Sequence, residues 1–209
     1  MTQINSHQNK STTKKGNAGE RVMMRIIRSI FHGANIFTPA EEDGAHQCDA
    51  VVIDWNKKRI VLVDSKAKPA MSFYPDTGID TRHYKTYLAL GKRHRALVLL
   101  CFIDEACGLA YGNFLWFLNQ ERVIWWEGKN INYPRSSFGS TGNTLQFPLD
   151  YMRQLAKLLP DEVEELQKNS TRNSTYIPNN AVYARLGIAL AEISWMSRQL
   201  DLMDGFKVT

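Results

Sequence analysis

Two short stretches carry acids and a lysine at spacings that suit phosphate chemistry. They are Cys48-Asp49-Ala50-Val51-Val52-Ile53-Asp54 and Arg59-Ile60-Val61-Leu62-Val63-Asp64-Ser65, with Lys66 directly after the second. Both are rich in Val and Ile, which predicts strands over residues 48–54 and 59–65. Trp55, Asn56, Lys57 and Lys58 lie between them as a turn. A two- or four-residue turn sets Asp49 directly opposite Asp64, with β-carbons about 4.5–5.5 Å apart on one face. The two-residue strand period adds Lys66 to that face. A three-residue turn would break the register. Adjacent carboxylates repel unless a cation lies between them. A divalent ion with an oxygen preference, Mg²⁺ above all, suits that place, and Lys66 would hold or deprotonate a water beside it.

The surrounding elements must bring other groups to this hairpin. A helix is predicted over residues 18–31, where Val22, Met23, Ile26, Ile27, Ile30 and Phe31 recur at helical spacing and Gly33 follows as a stop. Glu20 falls on the same side as Met24, Ile27 and Phe31. It is either a partnered acid heading a core-facing stripe or a first-turn acid favoured by the helix dipole. After a loop with Pro69, Pro75 and Gly78, a second helix is predicted over 81–93 and an apolar strand over 96–103. Short strands and loops are expected through 107–150, then helices over 149–159 and 181–203. The domain reading is a mobile basic tail at 1–17, a core at 18–150 and a helical extension at 151–209, in an α/β architecture.

Composition narrows the class. The chain has 209 residues, 44% hydrophobic and 22% charged, enough for a sizeable core without disulfides or structural metals. Its three cysteines (Cys48, Cys101 and Cys107) have no metal-finger spacing, which predicts a reducing, cytoplasmic setting. Its apolar runs are far shorter than a membrane span, and no secretory signal opens it. The formal charge is +5. The basic excess lies in residues 1–100, while residues 101–209 are slightly acidic, and a basic half suits a polyanion partner.

Glu20 on a first helix, Asp49 after a gap, and Asp64-Ser65-Lys66 ending a hydrophobic strand together resemble the PD-(D/E)xK nuclease superfamily. Its small members include archaeal Holliday-junction resolvases and phage-borne nucleases. The resemblance covers roughly residues 17–105. It implies a restriction-endonuclease-like αβββαβ core with a mixed central sheet flanked by helices, and hydrolysis of DNA phosphodiesters. By the same resemblance Asp49, Asp64 and Glu20 are metal ligands for Mg²⁺ or Mn²⁺, and Lys66 positions or activates the attacking water. Cys48 stands where the family often has proline, and Asp64 where it more often has glutamate. Segment 78–90 also looks like phage-borne members, which points to a bacterial or phage origin.

Arg82, Lys85, Lys92 and Arg93 on the second helix are the candidate phosphate contacts, with His83 beside them. Phe73 and Tyr74 either anchor their loop or stack on a base. A second acid-x-lysine copy, Glu127-Gly128-Lys129, also ends an apolar run but lacks an acid across a hairpin and a leading glutamate helix. The last predicted helix carries Val182, Leu186, Ala189, Ile193, Met196, Leu200 and Met203 in alternating steps of four and three, a seam for packing on its own core or for a homodimer. The rival to a nuclease is a non-catalytic DNA-binding or assembly protein on a degenerate nuclease core. An RNA-directed enzyme is the third reading.

Overall fold

The computed structural model describes residues 11–39, 48–70, 74–139 and 142–170. Four helices and eleven strands lie within them. The helices are α1 (Ser11–Ile30), α2 (Thr81–His94), α3 (Leu115–Leu118) and α4 (Pro160–Lys168). The strands are β1 (Asn35–Phe37), β2 (Ala50–Asp54), β3 (Arg59–Ala67), β4 (Asp76–Asp80), β5 (Leu97–Asp104), β6 (Leu109–Phe114), β7 (Arg122–Trp126), β8 (Lys129–Tyr133), β9 (Arg135–Gly139), β10 (Gly142–Pro148) and β11 (Arg153–Lys157).

The principal sheet runs β1-β2-β3-β5-β6-β11. Only β3 and β5 pair in parallel; every other neighbour in it is antiparallel. Strand β5 is apolar at all but its last position, and β3 from Ile60 to Val63, because both faces of these central strands are covered. Val61 and Val63 of β3 join Leu97, Leu99, Cys101 and Ile103 of β5 beneath α1 and α4. Leu62, Val98, Leu100 and Phe102 face the other way, toward Tyr87 of α2, Leu115 and Leu118 of α3, and the smaller β4-β10-β9 sheet. The fold is thus mixed α/β, a mixed central sheet flanked by helices. The expected α-β-β-β-α-β order is present in α1, β1, β2, β3, α2 and β5, with β4 diverted into the smaller sheet.

Three boundaries differ from the sequence reading. First, α1 begins at Ser11, so residues 11–17 belong to a helix and not to a tail. Its polar first turns are fixed by a tertiary contact, an ion pair from Lys15 to Glu105, which composition does not reveal. Second, the helix expected over 149–159 is a single 3₁₀ turn (Leu149–Tyr151) followed by β11, the sixth strand of the principal sheet. Leu149, Met152, Leu155 and Leu158 recur at near-helical spacing across a 3₁₀ turn, a five-residue strand and the residue after it, and a bulge between Gln154 and Ala156 interrupts the strand alternation. Third, α4 closes against α1, with Leu166 buried and Glu162 holding Arg25 at 2.6 Å. The described core therefore continues past residue 150 through 168. The predicted 181–203 helix, with its seam, lies outside the described residues.

Helix α1 approaches the sheet closely because Gly19 lacks a side chain. A β-carbon there would stand 2.8 Å from Cβ of Ala67, whereas one on Gly16 would meet nothing within 4 Å. Gly19→Val should destabilise the protein by about 1–3 kcal/mol through overpacking. Gly16→Ala should stabilise it by about 0.5–1 kcal/mol, as a helical glycine replaced in open space. Denaturant midpoints of the two variants check the pair; equal shifts would show that α1 does not seat on Ala67.

Candidate functional site

The register of the β2–β3 hairpin positions the site. Ala50 pairs with Val63 and Asp54 with Arg59 across the turn at residues 55–58. Strand β3 then runs on past the start of β2, still paired with β5 as far as Ala67 and Ile103. Among the described residues this leaves a notch in the sheet edge beside Ser65, Lys66 and Ala67. A cavity of about 390 Å³ opens there, with Glu20 and Asp49 on one side and Lys15, Lys66 and Lys68 among its other walls.

Asp49 lies just ahead of β2 instead of within it. Its backbone N–H bonds the Val63 carbonyl at 2.9 Å. Its carboxylate accepts from the Ser65 N–H at 2.6 Å and the Ser65 hydroxyl at 2.7 Å. The side chain therefore follows the sheet edge and does not stand above the sheet beside Asp64. Hairpin arithmetic places the two residues opposite each other, but a residue beyond the end of its strand is free to turn, and mutual repulsion favours separate donors for each acid.

Asp64 is buried, 3% exposed, on the face covered by α2. Lys66 Nζ lies 2.9 Å from one of its oxygens and 2.8 Å from the other, and the Tyr87 hydroxyl donates to the first. Burial pushes the Asp64 carboxyl above its ordinary range, against the Lys66 charge, while Asp49 pushes in the same direction as burial. The Tyr87 hydroxyl is likewise driven upward by burial and by Asp64. Asp64 and Lys66 form one ion pair, and Lys66 lines the cavity together with Asp49 and Glu20.

Glu20 is exposed, in the tenth position of α1. The longer helix removes the first-turn reading, and the side chain sits at the cavity rim instead of in the core stripe. Glu20 and Asp49 also line a second, more open recess with Arg21, Arg25 and Arg28. The α2 cations do not gather here. Arg82 is exposed and paired to the helix-capping Asp80 at 3.1 Å. His83 stacks at a tilt on Tyr87, ring centres 6.1 Å apart, and Lys85 is exposed. Lys92 and Arg93 fall in the last turn of α2, near Leu97. Because Leu97 pairs with Val61, that turn is at the opposite end of β3 from Lys66. Phe73 lies outside the described residues, and the Tyr74 ring packs under Arg135 at 4.1 Å. The Glu127-Gly128-Lys129 copy is a tight hairpin turn, with Glu127 at φ 46° and Gly128 at φ 80°.

Sequence reasoning missed Tyr87, Ser65, Lys15 and Lys68. For Tyr87 a signal existed: it is the inward aromatic of α2, and α2 must cover the even positions of β3, to which Asp64 belongs.

Among the described residues no three His, Cys, Asp or Glu side chains converge as a ready-made metal cage. The donors present still fit one ion class. The acids near the notch are all oxygen ligands, and Mg²⁺ keeps several waters and uses one or two carboxylates plus substrate phosphates in place of an all-protein cage.

No protein-family model matches the chain, and no curated protein matches it. Among solved structures it is similar to Hjc, a Holliday junction resolvase from the archaeal hyperthermophile Archaeoglobus fulgidus. That similarity has 13% identity and a TM-score of 0.38, and covers 56% of this chain and 86% of that one. A likeness at that level leaves the chemistry of the site to this chain's own residues.

Proposed function

We propose that the protein is a metal-dependent nuclease that hydrolyses DNA phosphodiester bonds at the notch beside β3. The observation that carries this reading is the Asp64–Lys66 ion pair, whose lysine lines one cavity together with Asp49 and Glu20. Asp49 and Glu20 would hold a Mg²⁺ or Mn²⁺ ion from the cavity wall, with Asp64 as the third acid. When bound, such an ion supplies charge for the phosphate oxygens and a more acidic water. As the ammonium partner of Asp64, Lys66 is a hydrogen-bond donor, suited to orienting a water or a phosphate oxygen in the reaction. Ser65 holds Asp49 through two hydrogen bonds, and Tyr87 shares the load on Asp64. The basic excess of residues 1–100 suits a polyanionic strand. No helix among the described residues is long and apolar enough to cross a membrane.

The experiment is cleavage of labelled DNA with Mg²⁺ or Mn²⁺, paired with calorimetric titration of Mn²⁺. Metal-dependent cutting that EDTA stops, with Mn²⁺ binding weakened in Asp49→Asn, is the expected result. One observation favours a second reading, a non-catalytic DNA-binding or assembly protein: Asp64 already has donors in Lys66 and Tyr87. Salt-sensitive DNA binding with neither Mn²⁺ binding nor cleavage would establish that reading instead.

A further inference from the structure

We propose that the end of the principal sheet opposite the notch is a second DNA-contact surface, which grips duplex backbone away from the point of cutting. This rests on the DNA part of the reading above and not on metal at the notch. Strands β3 and β5 run in parallel, with Val61 beside Leu97. The segments leading into them therefore lie next to each other at that end. One is the β2–β3 turn, Trp55-Asn56-Lys57-Lys58; the other is the end of α2 with its cap, Lys92-Arg93-His94-Arg95. Every residue of both segments is exposed. Together they carry five lysine and arginine side chains and one histidine, and neither contains an acid. The acid just ahead of the turn, Asp54, accepts the Lys57 backbone N–H at 3.1 Å.

The helix dipole alone accounts for the cations at 92–94, since basic side chains favour a helix C-terminus. It does not account for the facing turn, nor for two backbone positions in the left-handed region. Lys58 has φ 50° and Arg95 has φ 48°. Glycine and asparagine are the cheapest residues there, yet each position carries a long cation. Trp55, 69% exposed, opens the turn, and Trp116, 40% exposed, borders Lys92 in a recess of about 190 Å³. Phosphate oxygens take ammonium and guanidinium donors as charge-assisted bonds, and flat rings among the cations suit the sugars and bases beside them. Strand rise puts Arg59 and Lys66 about 23 Å apart along β3. A duplex that reaches both surfaces therefore spans about seven nucleotide steps.

The test reads binding of a duplex of about 30 base pairs by fluorescence anisotropy, in EDTA and across a salt series. One variant combines Lys58→Gln with Lys92→Gln, a cation from each segment. A second combines Lys129→Gln with Lys157→Gln, which removes the same charge from exposed positions elsewhere. Each phosphate contact contributes about 0.9 to the slope of log affinity against log salt. The first variant should lose about two from that slope and bind about tenfold or more weakly. The second should keep the wild-type slope, as should Lys58→Arg with Lys92→Arg. Equal losses in the two glutamine variants would reduce the effect to net charge and overturn the surface. Binding of anionic phospholipid vesicles in place of the duplex would overturn it too. Cleavage and Mn²⁺ titration score the nuclease reading separately. A chain that cuts DNA with an unchanged slope in the first variant keeps that reading and loses the surface. The expected slope loss with neither cutting nor Mn²⁺ binding does the reverse.

Discussion

Asp64→Asn should abolish DNA cleavage while leaving the protein folded and at least as stable as before. The asparagine keeps the size of the side chain and an oxygen for the Tyr87 hydroxyl, so packing under α2 survives. It also removes a charge that burial disfavours. The loss falls on chemistry alone: without that charge the acid set is incomplete and Lys66 has no partner to fix it. A fall in turnover of about a thousandfold or more is the scale for removing one preorganised electrostatic element.

Lys66→Gln should also stop cleavage but carry the opposite stability signature. It leaves Asp64 buried with a single neutral donor, and breaking a buried pair by removing one partner costs about 3–5 kcal/mol. Because the orphaned carboxyl can take a proton, that loss should be greatest at neutral pH and shrink on acidification. Cleavage rates and denaturant midpoints of both variants, from preparations shown free of contaminating nuclease, decide the matter. Wild-type turnover in Asp64→Asn would remove this pair from the reaction.

The second large effect lies in the pH dependence of stability. Burial raises the Asp76 carboxyl from 3.8 to about 6, in spite of Arg135, Tyr133 and Lys68, which all pull it down. A raised folded value means that the native state holds a proton which the unfolded chain has released. The contribution of Asp76 is thus complete below its unfolded value and is lost as pH rises through about 6. The rise from 3.8 to about 6 corresponds to about 3 kcal/mol of declining stability across that window. Asp64 adds a decline of the same sign. Asp76→Asn should remove the Asp76 share, so that its stability curve between pH 4 and 7 is flatter than that of the wild type. Parallel curves for the two proteins would show that Asp76 is ionised throughout.

The hairpin was legible in the sequence because strand pairing is arithmetic: a four-residue turn after Asp54 leaves one register, and the structure has it. The orientation of Asp49 was not legible. Pairing rules place residues inside a ladder, and Asp49 stands one position outside it, where Ser65 captures the side chain. Helix α1 was readable from its apolar spacing, and α2 lies where it was predicted, while the N-terminal turns of α1 were not readable, since Glu105 lies ninety residues away in sequence. Strand β11 was misread because it is short, follows a 3₁₀ turn and carries a bulge that interrupts its alternation. Basic residues on α2 could be counted from the sequence, but their side of the molecule could not. The antiparallel run of α2 along β3 carries Lys92 and Arg93 to the far end of the sheet.

The smaller sheet has a consequence for the order in which the site assembles. Asp49, Asp64 and Lys66 belong to one hairpin, a local contact that a folding chain can close early. Strand β4, which holds the Lys68 ammonium, pairs with β10, joining Asp76 to Pro148 and Asp80 to Thr144. Closing a loop of that length costs more entropy and is slower. The acids and lysine of the proposed site therefore come together before β4 is seated beside them, and synthesis must pass residue 148 before that pairing exists. A chain halted short of β10 would carry the hairpin residues without the strand whose Gly78 carbonyl meets the Lys68 ammonium.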